Sequence, residues 1–290
     1  LLRGVRLLQK NTVNGSRRTS VNAFIRQLSS VEAWKGQEDL FQELHTLSPE
    51  EASHLTRAIP LLAPSFVAVM APHLTKVRGA DLHQRLLTAA AKLANRNIGP
   101  LEQAISGGDE ATLRQIVMIL GEMTDDRAAA LLRRMGRHPA GAVREIAVKT
   151  LLAKTAQPLK AVLLYLDDDN AAVRNAALDH IARTRDPQAE SALRSYIEEN
   201  GEAAEDESHL LACYQTLGKC GGQATLEFLE AILLKRSAGG LLQLGGSVHQ
   251  LGAAMALRRC PGEQARQILT RASKSLFPPV RNAARKALAT

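Results

Sequence analysis

Asp167-Asp168-Asp169-Asn170-Ala171-Ala172-Val173-Arg174-Asn175-Ala176-Ala177-Leu178-Asp179-His180-Ile181-Ala182 is a polar turn running into a helix. Asp and Asn favour turns and helix starts because their short side chains bond nearby backbone N–H groups. After the turn, Val173, Ala176, Ala177 and Ile181 recur at the spacing that places side chains on one face of a helix. The pattern predicts that face buried, with Arg174, Asn175, Asp179 and Arg183 turned outward. Altered versions of the stretch recur along the chain, so its reading decides the fold.

Composition points the same way. Hydrophobic residues make up 45% of the chain but aromatics only 3%. Ala and Leu therefore fill the interior; they are strong helix formers, whereas strands prefer β-branched and aromatic residues. The expected class is all-α, and 290 residues are enough to bury a substantial core. Aligning the last apolar residue of each candidate first helix gives Leu93, Leu120, Leu151, Ile181, Leu217, Leu257 and Leu288, at spacings of 27, 31, 30, 36, 40 and 31. A helical hairpin repeated at about that period is the signature of a solenoid. The two longest spacings hold insertions. One is the acidic run 198–207, expected to be a solvated loop. The other is the Gly-rich run 237–247, whose leucines (Leu241, Leu242, Leu244) are expected to tuck onto the core.

Regularity begins at Gly79. The expected organisation is an N-terminal helical region with degenerate repeats over 1–78, followed by a repeat domain over 79–290. Within the first region Leu1–Lys10 reads as a short amphipathic helix. Ser48-Pro49-Glu50-Glu51 reads as a helix start, with Pro at the first position and acids in the first turn.

The repeated text itself is Val143-Arg144-Glu145-Ile146-Ala147, Val173-Arg174-Asn175-Ala176-Ala177 and Val280-Arg281-Asn282-Ala283-Ala284, with Leu113-Arg114-Gln115-Ile116-Val117 as a looser copy. It resembles the HEAT repeat family in its short bacterial form, over roughly residues 79–290. The resemblance implies a right-handed α-solenoid of stacked antiparallel helical hairpins, with the Val and Ala positions packed between helices. It also implies that each Arg pairs with an Asp of a neighbouring turn, which for Arg174 would be Asp168 or Asp169. The turns before Arg144 (His138-Pro139-Ala140-Gly141) and Arg281 (Phe277-Pro278-Pro279) lack that acid. An Asp–Arg ladder is therefore expected to be interrupted.

Catalytic chemistry finds no constellation. The eight histidines are scattered singly, without HExxH or a His-Glu dipeptide. Asp179-His180 brings no third ligand, and the acids 167–169 read as a helix cap rather than a cation site. Gly221-Gly222 and Gly239-Gly240 lack the context of a phosphate-cradling loop. Cys213, Cys220 and Cys260 form no CxxC pair; Cys213 falls on a core position, and a reducing cytoplasm is the expected setting. No enzyme activity, metal or cofactor is expected.

Charge narrows the partner. The net +8 is concentrated at the ends: residues 1–31 hold six basic residues and no acid, and residues 257–290 hold eight against Glu263. No apolar run reaches the 18 residues that suggest a membrane span. The first residue is Leu1 rather than Met, which suggests a processed form or one module of a larger protein. The reading favoured by the sequence is a non-catalytic protein–protein interaction scaffold. Its candidate partner-binding residues are Arg144, Arg174, Asn175, Asp179, His180, Arg183, Arg281 and Arg285. The alternative is nucleic-acid binding through the basic C-terminal helices, as in HEAT-like DNA glycosylases. Stacking residues are few, one Trp (Trp34) and three Tyr (Tyr165, Tyr196, Tyr214), and none of these lies beside a basic cluster. A weaker alternative is a helper in protein modification, as in lyase-type HEAT proteins.

Overall fold

The computed structural model describes residues 44, 47, 49–154, 159–200, 206–235 and 248–289. The expectations for Leu1–Lys10 and the basic residues before 31, and for Leu241, Leu242 and Leu244, lie outside these residues. Among the described residues every regular element is helical, as the Ala- and Leu-rich composition predicts. Packing divides the chain into two units, Leu1–Thr155 and Ala156–Thr290. That division follows contacts, whereas the change of sequence texture at Gly79 follows repeat regularity.

The first unit contains α1 (Pro49–Ala58), α2 (Phe66–His73), α3 (Ala80–Ala94), α4 (Gly99–Gly107), α5 (Glu110–Glu122), α6 (Asp126–Met135) and α7 (Gly141–Lys154). Helix α1 begins at Pro49 with Glu50 and Glu51 in its first turn, and it gives way to a 3-10 turn carrying Pro60. Asp109 and Asp125 cap α5 and α6 by accepting from Thr112 N and Arg127 N. Packing alternates along the chain: α1 lies on α3, α3 on α5 and α5 on α7. The shared core includes Met70, Leu93, Ile116, Leu120, Val143 and Leu151.

The second unit contains α8 (Leu159–Leu163), α9 (Ala171–Thr184), α10 (Pro187–Asn200), α11 (Glu207–Cys220), α12 (Gln223–Leu234), α13 (Val248–Arg259), α14 (Glu263–Ala272) and α15 (Pro278–Ala289). Helices α9, α11, α13 and α15 pack in sequence as one layer. The second layer contributes the contacts of α8 with α10 and of α12 with α14. Within each unit hairpins thus touch their neighbours in the chain, consistent with an α-solenoid. The repeat period also appears in polar bonds between successive hairpins. Thr88 Oγ1 donates to Glu122 at 3.0 Å and Thr225 Oγ1 to Glu190 at 2.5 Å, while Tyr196 Oη lies 3.3 Å from the Leu166 carbonyl. Their partners lie 34, 35 and 30 residues apart.

Several expectations need correction. The cap of α9 is Asn170, whose Oδ1 accepts from Ala172 N, while Asp168 Oδ1 accepts from Asn170 N and shapes the turn before it. The three acids are therefore not the cap. The acidic run 198–207 is not one loop: Glu198 and Glu199 lie in α10, Asp206 caps α11 and Glu207 opens it. A carboxylate at a helix start is favoured by the unpaired N–H groups there.

Candidate functional site

The repeated Val-Arg text resolves into two physically different sets of residues. Val143, Ala147, Val173, Ala176, Ala177, Val280, Ala283 and Ala284 are buried. The arginine between them is not turned outward as the helical pattern predicts. Arg174 Nη1 donates to the Asp168 and Asp169 carbonyls at 2.8 and 3.2 Å, and its side chain is 13% exposed. Arg144 Nη1 donates likewise to the His138 and Pro139 carbonyls, both at 2.9 Å, and Arg281 Nη1 to the Ser275 carbonyl at 3.1 Å. Each guanidinium clasps the turn that precedes its own helix by folding back over the first turn. The clasp uses backbone oxygens rather than an acid of the same turn, so it forms in all three copies. The looser copy departs: Arg114 is exposed.

Arg174 also makes an ion pair, and its acid comes from the following hairpin rather than its own turn. Nη2 lies 2.5 Å from Asp206 Oδ2, while Asp206 Oδ1 accepts from His209 N. That cap bond is the first cause holding the Asp206 carboxyl below its ordinary value, with Arg174 adding to it. His209 then meets Tyr196, whose hydroxyl lies 3.3 Å from Nε2 and donates to Asp167 Oδ1 at 3.0 Å. The two rings meet edge to face. Cys213 Sγ lies 3.8 Å from the same Nε2. Asp167, Tyr196, Asp206, His209 and Cys213 are thus drawn together by helices α9 to α11. No sequence motif marks them, because they come from three separate elements: the turn before α9, helix α10, and helix α11 with its cap.

A Cys beside a His invites a nucleophile reading, and the geometry opposes it. A reactive thiol needs stabilised thiolate and access. Cys213 is fully buried, and burial pushes its thiol up to about 12. Burial, aided by Arg174, also holds His209 below the ordinary histidine range. Burial is again the first cause that raises Tyr196, ahead of its bond to Asp167. All three groups are held in their neutral forms, so the cluster serves as packing and hydrogen bonding between hairpins. Among the described residues no group of His, Cys, Asp and Glu is placed to hold a metal ion.

A second buried contact fixes α11 on α13. Tyr214 Oη lies 2.7 Å from His249 Nδ1, and the ring rests against Gly252. A Cβ at Gly252 would stand 2.3 Å from Tyr214 Cδ2, and one at Gly218 would stand 2.3 Å from the Ala256 carbonyl oxygen. The helices approach this closely only because both positions are Gly.

The predicted partner-binding residues separate accordingly. Arg144, Arg174 and Arg281 are clasps. Asn175, Asp179, Arg183 and Arg285 are exposed, and His180 is half-buried. Arg144 belongs to the first unit and the others to the second. Asp179 and Arg183 are neighbours, since Arg183 Nε reaches the Asp179 carbonyl at 3.4 Å.

Stacked hairpins, an alternating layer order and a clasping arginine define a helical-repeat protein of the α-solenoid class. Residues 156–244, spanning α8 to α12, match the family model described as HEAT repeats, which supports a HEAT-like repeat family. No curated protein matches the chain.

Proposed function

We propose that the chain is a non-catalytic protein–protein interaction scaffold. HEAT repeats are commonly protein-interaction scaffolds, and the match over α8 to α12 supports that reading. One observation carries it here: the Val, Ala and Arg shared by the copies are consumed in packing and clasps, which leaves other polar side chains of the same helices displayed. Two residues after each Val stand Glu145, Asn175 and Asn282; six after stand Lys149, Asp179 and Lys286. Varied side chains on a rigid backbone suit recognition of a partner surface. In this reading the hairpins wind into a right-handed superhelix with the Val-Arg helices on its concave side. The chain works in a bacterial cytoplasm and takes no cofactor. No helix among the described residues is long and apolar enough to cross a membrane.

Affinity capture from the native host tests the proposal with the triple variant Asn175→Ala, Asp179→Ala, Arg183→Ala. A protein retained by the wild type and lost by the variant, at unchanged melting temperature, is the expected result. If wild type and variant retain the same proteins, α9 is not the recognising helix. Tight, salt-steep binding to generic duplex DNA would replace the scaffold with a nucleic-acid role.

A further inference from the structure

We propose that the exposed side of α9, α11 and α13 binds an acidic segment in the polyproline II conformation, a carboxylate at every third residue meeting Arg183, Lys219 and Arg259 in turn. This deepens the scaffold reading and rests on it. The three cations hold one repeat position, two residues after the buried Ile181, Leu217 and Leu257, and all three are exposed. The helices that carry them pack in sequence as one layer. Their ends stand side by side: Cys220 lies within electrostatic range of Arg185, which ends α9, and Cys260 lies within range of Cys220. The row is particular to this unit, since the same position in the first unit holds Asn95, Glu122 and Ala153. A cation anywhere in a last turn complements the helix dipole. A single file across three helices does not follow from that.

The row is open to a partner. Among the described residues no ion pair engages Arg183, Lys219 or Arg259, and Arg183 Nε reaches the Asp179 carbonyl of its own helix. Two acids at the start of α10 are already engaged: Asp186 Oδ1 accepts from Gln188 N, and Glu190 receives Thr225 Oγ1 and Gly222 N. Asp179, one turn before Arg183, opposes the row at its α9 end, so Lys219 and Arg259 carry most of the attraction. Spacing then selects the occupant. Packed helices lie about 8–10 Å apart, and Gly218 lets α11 and α13 approach closely. In a polyproline II chain, side chains three residues apart share an edge and are about 9 Å apart. A β-strand sends residues three apart to opposite faces. Carboxylates match the guanidinium fork and accept from the lysine ammonium. One and two turns back from the row, α11 and α13 present the partly exposed Gln215, Met255, Leu211 and Leu251, on which intervening proline rings pack. None of these positions is aromatic, so stacked bases find no platform.

The test is fluorescence anisotropy at low salt with a fluorescein-labelled Glu-Pro-Pro-Glu-Pro-Pro-Glu peptide on the full chain. Saturable binding is expected, weakened about tenfold or more by the double variant Lys219→Glu, Arg259→Glu. A Glu-Glu-Glu-Pro-Pro-Pro-Pro peptide has the same charge without the period and should bind about tenfold more weakly, because its carboxylates cannot reach all three cations at once. Arg266→Glu removes an exposed cation of α14 outside the row and should leave binding unchanged. The proposal is overturned if the double variant binds as the wild type does, if the clustered peptide binds equally, or if Arg266→Glu weakens binding as much as the double variant. Tighter binding of a thymidine oligomer than of the peptide also overturns it. A melting curve verifies folding; should the double variant unfold, Lys219→Gln, Arg259→Gln takes its place with the same outcomes. A native partner lost from the α9 triple variant but fully retained by the double variant would refute the row and leave the scaffold standing.

Discussion

Gly252 and Gly218 show how much can rest on an absent side chain. Tyr214 cannot yield to a methyl at Gly252, because its ring is buried and its hydroxyl is engaged by His249. Gly252→Ala is therefore expected to destabilise the second unit by about 1–3 kcal/mol, as overpacking a tight core does. Gly218→Ala should cost at least as much, since the obstacle is the Ala256 backbone. Urea unfolding followed by circular dichroism measures both; wild-type midpoints would mean the helices can separate freely. His209 supplies a prediction in pH. Its folded pKa lies below the ordinary histidine value of 6.5, first through burial and then through Arg174, so the unfolded chain binds the proton more readily. Asp206 and Asp167 oppose this shift, and Tyr196 and Cys213 complete its surroundings. The contribution is complete above the unfolded value and is lost as pH falls below it. Stability should thus decline between pH about 7.5 and about 5.5, and His209→Gln should flatten part of that decline in urea titrations.

At the scale of the element, the arginine clasp joins helix to turn. Removing it leaves turn carbonyls without their charged donor, and such bonds contribute about 1.5–3 kcal/mol. Arg174→Ala is expected to lose about that much, and more than Arg281→Ala, because it also gives up Asp206. Arg114→Ala is the internal control: its side chain is exposed, so its effect should stay within about 0.5 kcal/mol. Equal effects at Arg114 and Arg174 in thermal or urea unfolding would remove the distinction between true and loose copies. The helices themselves were legible in the sequence: Val173, Ala176, Ala177 and Ile181 are buried as their spacing predicts. The clasp was not. Spacing along a helix says which side a Cβ leaves from, but a long guanidinium can double back over its own first turn. Nor does sequence reveal that the acid for Arg174 is 32 residues away.

For the whole molecule, each unit's packing is largely internal, and in repeat proteins stability is a sum of local and nearest-neighbour contributions. Residues 156–290 expressed alone are expected to be helical and to unfold cooperatively; a non-cooperative melt by circular dichroism would show that the unit depends on the rest of the chain. The repeat period, the all-helical class and the buried Val and Ala positions follow from the sequence by itself. Local propensity and apolar spacing determine which segments form helices, and hairpins that touch only their neighbours leave the period in plain text. Only the tertiary structure decided which polar residues are spent and which are displayed. It turned three of the candidate partner-binding arginines into clasps and left Asn175, Asp179, Arg183 and Arg285 exposed. It drew the half-buried Tyr196 and His209 onto the buried Cys213. Those outcomes depend on distances between successive turns, and such distances are set by how closely helices approach, down to a single Gly beneath a tyrosine ring.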